Sequence, residues 1–77
     1  MMQLAHMELA VAACKVGGAS GKLTACILGI APNTVDSYMK RVFRKYRANG
    51  DTCNGVVDLE RLLARDYPPR FSRADAA

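Results

Sequence analysis

Five cations crowd one short stretch of the chain. Lys40, Arg41, Arg44, Lys45 and Arg47 supply five of the eleven lysines and arginines within eight residues. On a helix, Lys40, Arg44 and Arg47 stand at i, i+4 and i+7 and share a side. Just ahead lie Asn33, Thr34, Asp36 and Ser37, short polar side chains able to reach base edges or phosphates. A cationic stripe of this kind suits a polyanion, and phosphate contacts of lysine and arginine weaken steeply as salt rises. By itself the stripe would also suit a solvated helix face or an acidic membrane surface.

No other chemistry assembles as readily. The three cysteines, Cys14, Cys26 and Cys53, form no C-x-x-C, and His6 is the one histidine. A four-ligand zinc site of cysteine and histidine would need all four, so no metal is expected. In a reducing interior such cysteines act as small buried hydrophobes. Ser20, Ser37 and Ser72 lack a histidine base in a suitable setting, so a catalytic triad has no material. Gly17-Gly18 and Gly21-Lys22 do not match the phosphate-loop spacing. We therefore expect no enzyme and no cofactor.

Size and composition agree. Seventy-seven residues make one domain, too few for a doubly wound sheet or two lobes around a cleft. Apolar residues are 51% and charged residues 23%, ordinary for a globular chain. Net charge is +4 and the pI about 9.3, which favours a polyanionic partner. Residues 1–16 lack the basic start and uninterrupted apolar run of a signal peptide. No apolar stretch is long enough to span a membrane.

The elements that must carry these residues read as four helices. Leu4, Met7, Val11 and Cys14 fall at helical spacing and stop at Gly17-Gly18. Ser20 is a cap for a two-turn helix, Lys22 to Leu28, ended by Gly29. Leu23 and Ile27, an i, i+4 pair on it, read as core. Pro32 opens the third helix, where its missing N–H is not needed. Val35, Tyr38 or Met39, Val42 and Tyr46 form its apolar face, and Asn49-Gly50 ends it after about Ala48. Asp51, Thr52 and Asn54 are cap candidates for a fourth helix, about 54–66, with a stripe of Val56, Leu59, Leu62 and Leu63. Tyr67-Pro68-Pro69 breaks it, leaving residues 67–77 as a loose tail. The expectation is an all-α, four-helix domain over residues 1–66.

Only Gly29-Ile30-Ala31 joins the second helix to the third. Such a turn predicts a helix-turn-helix, with the second helix of the pair laid in the major groove of duplex DNA. Tight turn, Pro32 and cationic stripe together favour DNA over the bland readings.

The run Ala25-Cys26-Ile27-Leu28-Gly29-Ile30-Ala31-Pro32-Asn33-Thr34-Val35-Asp36-Ser37-Tyr38 resembles the core of the LuxR-type (GerE-like) helix-turn-helix domain. That family reads I-A-x-x-L-G-I-S-P-x-T-V-x-x-H, followed by a basic I-x-x-K-L. Ala25, Leu28, Gly29, Ile30, Pro32, Thr34 and Val35 match; Val42 and Lys45 match the later apolar and lysine positions. Leu4, Glu8 and Gly18-Ala19-Ser20 resemble the opening helix and its link. The resemblance, from Leu4 to Leu63, implies a stand-alone DNA-binding transcriptional regulator of the bacterial cytoplasm and nucleoid. It also implies a homodimer joined through helix four. By position, Asp36, Ser37 and Lys40 match base-facing sites, while Thr34, Arg41, Arg44 and Lys45 look like backbone or groove-wall contacts.

The departures are specific. Ala31 replaces the family's serine cap, Tyr38 its histidine, and Asp36 a cation or amide. Leu23-Thr24 inverts the family's polar-then-apolar order, and the link from Gly50 to Gly55 is longer than usual. Val56, Leu59, Leu62 and Leu63 read as part core, part homodimer seam, the alternative being that all four only close the monomer core. A rival function is a protein-interaction module that pairs with a larger regulator or with RNA polymerase.

Overall fold

The structure, a computed structural model, describes residues 3–68. Four helices follow in order: α1 (His6–Val16), α2 (Gly21–Leu28), α3 (Pro32–Ala48) and α4 (Val56–Asp66). No strand occurs among the described residues. Most of the expected loose tail lies outside the described residues.

The boundaries follow local chemistry. Ser20 Oγ accepts from the Leu23 N–H at 3.1 Å, satisfying one of the open donors at the start of α2. Gly29 ends α2 in the left-handed region, at φ 69°, which glycine adopts without a Cβ penalty. The chain then re-enters a helix at Pro32 after three residues. The cap of α3 is Ala31, which offers no side-chain acceptor. None of Asp51, Thr52 and Asn54 caps α4: Gly55 does, and the helix starts at Val56, two residues later than expected. Asp58 instead reaches back from the first turn to accept from the Asn54 N–H at 3.1 Å.

Helix α3 lies against both α1 and α2, and α4 docks on α1. The core is built from Leu4, Val11 and Ala12 of the α1 region, Ala25 of α2, and Val35, Met39, Val42 and Tyr46 of α3. Cys53 and the α4 leucines Leu59, Leu62 and Leu63 complete it. Met39, not Tyr38, takes the second core position of α3; Tyr38 stays half-buried at the margin.

Three expectations need correction. Leu23 and Ile27 are not core: they are 51% and 59% exposed. Thr24, beside them, is fully buried, and its hydroxyl has no hydrogen-bond partner among the described residues. The inverted Leu23-Thr24 order thus survives into the fold, with Thr24 and Ala25 on the covered side of α2. The second correction concerns α4. Leu59, Leu62 and Leu63 are sealed inside the monomer, so as placed they have no surface to give a dimer seam. Of the four, only Val56 is exposed, together with its neighbour Val57 at 81%. Third, Tyr67 is not tail. It packs on the core, and its hydroxyl accepts from the Leu4 N–H at 3.2 Å, tying the two ends of the fold together.

Candidate nucleic-acid interface

Helix α3 divides along its length. Val35, Met39, Val42 and Tyr46 anchor one face in the core. The opposite face carries Lys40, Arg41 and Arg44, all exposed and, among the described residues, none within ion-pair distance of a carboxylate. A charged face left without internal counter-ions attracts external anions.

The first turns present the polar set. Asn33, Asp36 and Ser37 are exposed, and Thr34 is half-buried. Ser37 Oγ donates to the Asn33 carbonyl at 3.1 Å, one turn back, which fixes its rotamer along the helix. Asp36 is an anion among these groups, and its carboxylate has no ion-pair partner among the described residues.

Two aromatic rings order the cations. The Arg41 guanidinium lies 5.5 Å from the centre of the Tyr38 ring, within cation–π range. Arg47 lies 5.8 Å from the Phe43 ring, and its Nε donates to the Cys53 carbonyl at 3.0 Å. Arg47 therefore shares the Lys40–Arg44 side as expected, and it also fastens the end of α3 to the link before α4. Lys40, Phe43, Arg44, Arg47 and Ala48 line one shallow depression there.

Lys45, expected at the backbone or groove wall, meets a carboxylate of α1. Its Nζ donates to Glu8 Oε1 at 2.5 Å, turning the ammonium toward α1 rather than toward the free cations. Glu8 is nearly covered, its side chain 5% exposed, while Lys45 is 39% exposed. The Glu8 carboxylate also accepts from the Ala5 N–H at 2.8 Å, capping α1 from the third helical position. Burial works against its charged form. The Lys45 and Ala5 hydrogen bonds, with the charges of Lys45 and Arg41, outweigh burial and hold the carboxyl below the usual value. In the linear chain Glu8 is marked only by its match to the family's opening helix. Its pairing joins residues 37 apart, which helical spacing cannot reveal.

The helix pair, its three-residue turn and the exposed basic face meet in the comparison with known families. Residues 2–53 match the model of bacterial regulatory proteins, luxR family. This chain belongs to the luxR family. Its helix-turn-helix is a DNA-binding regulatory module, and the match covers α1, α2, α3 and the link up to Cys53. Helix α4 lies beyond it. No curated protein and no solved structure matches the chain. Among the described residues, no helix is long and apolar enough to cross a membrane.

Proposed function

We propose that this luxR-family domain regulates transcription by binding specific duplex sequences, with α3 in the major groove. One observation carries the reading. On a helix whose far side is locked in the core, Lys40, Arg41 and Arg44, with no ion-pair partner among the described residues, stand beside the exposed polar groups Asn33, Asp36 and Ser37. The three cations would meet phosphates and set register; Asp36 and Ser37 would face base edges. An aspartate there can accept from a cytosine amino group and is repelled by phosphate, so it favours reading over grip. Thr34, at the margin of the core, would touch the groove wall.

A homodimer on a two-fold site belongs to the same proposal. With Leu59, Leu62 and Leu63 inside the monomer, the seam would fall to Val56 and Val57 at the start of α4.

Selection of bound sequences from a random duplex pool tests the reading. A palindromic winner supports it, and so does affinity that falls with salt and with Lys40→Ala/Arg44→Ala. Failure of the wild type to bind duplex, or binding indifferent to salt and to both substitutions, overturns it.

Leu23 and Ile27 support a second reading. Two large apolar side chains more than half exposed on α2 would suit contact with a larger regulator or RNA polymerase. Co-purification that is lost with Leu23→Gln/Ile27→Gln, while DNA binding persists, would favour it.

A further inference from the structure

Lys45 sits in the basic run of α3, one residue after Arg44 and one turn after Arg41. A lysine stem is long and flexible, so sequence position alone would let its ammonium reach a phosphate. The structure gives that ammonium a different anion. Glu8 holds it at 2.5 Å from α1, and the same carboxylate caps α1 through Ala5. Glu8 has almost no contact with solvent. A phosphate could take Lys45 only by leaving a covered carboxylate with the Ala5 N–H but without its ion-pair partner, which is unfavourable. The neighbouring cations carry no such tie: Lys40, Arg41 and Arg44 have no carboxylate within ion-pair distance among the described residues.

On the reading that α3 binds duplex DNA, we infer that Glu8 is a positioning residue of the interface. It keeps Lys45 against α1 as an internal counter-ion, so that the cations offered to phosphate are Lys40, Arg41 and Arg44. Helix α1 thereby subtracts one charge from the run and fixes which side of α3 is electropositive.

The salt dependence of binding counts phosphates directly, at a slope of about 0.9 per phosphate neutralised on duplex DNA. The full chain is titrated with a labelled random-sequence duplex between about 50 and 200 mM salt. Four proteins are compared: wild type, Lys40→Ala, Glu8→Gln and Glu8→Gln/Lys45→Met. Lys40→Ala should flatten the slope by about 0.9. Glu8→Gln frees an ammonium and should steepen it by about the same amount. The double variant removes both charges and should return to the wild-type slope. Glutamine keeps the acceptor for Ala5, and circular dichroism verifies helix content. A structural role alone would change stability and leave the slope unmoved.

A Glu8→Gln slope no steeper than wild type, or a double-variant slope flatter than wild type, overturns the inference while leaving DNA binding intact. Should Glu8→Gln lose its helix content, the double variant decides by its slope alone. Absence of any binding by the wild type would instead remove the DNA reading itself.

Discussion

Tyr46 Oη donates to Asp66 Oδ2 at 2.9 Å, linking the last turn of α3 to the last turn of α4. The tyrosine ring is fully buried, and its phenol is pushed up from its ordinary value by burial and by the Asp66 carboxylate. Asp66 is held in turn by Arg65, whose guanidinium also grips Asp51 at 2.9 Å. This chain of contacts clamps α4, which the family match does not include, to the end of α3 and to Asp51 in the link. Tyr46→Phe keeps the ring and removes the bond. It should lower stability by about 1 to 2 kcal/mol in denaturant titration, with helix content unchanged. An unchanged midpoint would show that the bond adds nothing.

Thr24 is the converse case, a sealed hydroxyl without a partner among the described residues. Valine has nearly the same shape and no polar atom to desolvate. Thr24→Val should raise stability by about 1 kcal/mol, read as a higher melting temperature. A lower one would mean that the hydroxyl is satisfied in solution.

Acid should destabilise the fold through three carboxylates. Arg65 and Asn49 hold Asp51 down to about 2 from an ordinary 3.8. Glu8 and Asp66 are also held below their ordinary values of 4.5 and 3.8. A carboxyl depressed in the folded state contributes stability above its unfolded pKa and loses it as pH falls through its folded one. Melting temperature should therefore fall from about pH 4.5 toward pH 2. Glu8→Gln should flatten the upper part of that decline. A profile level across this range would contradict the pairings.

Helix α3 is capped by Ala31, which has no side-chain acceptor for the first N–H groups. Ala31→Ser supplies one and should stabilise the domain by about 1 kcal/mol. For a chain of this size that is about 4 to 8 °C in melting temperature. Calorimetry at fixed pH and salt reads it directly.

Val57 points away from the core, 81% exposed. Val57→Asp should leave monomer stability within about 0.5 kcal/mol. If the proposed seam is there, the same change shifts sedimentation from dimer to monomer. A dimer that ignores it uses another surface.

Helix punctuation was legible in the linear chain. Ser20, Gly29, Pro32 and Asn49-Gly50 act within a turn or two of their own position, so their effects can be read locally. The core stripe of α3 was equally plain, except that Tyr38 and Met39 adjoin and only packing could choose between them. Leu59, Leu62 and Leu63 form a stripe that looks the same whether it closes a monomer or joins two. Contact with α1 assigned it to the monomer.

Sequence alone determined four helices, a tight turn and a basic third helix, because hydrophobic period, caps and breakers operate over a few residues. Tertiary structure decided the partners: Lys45 to Glu8, Tyr67 to Leu4, Thr24 inward and Leu23 outward. Those outcomes depend on how helices rotate against one another, and that rotation is set by the whole core at once.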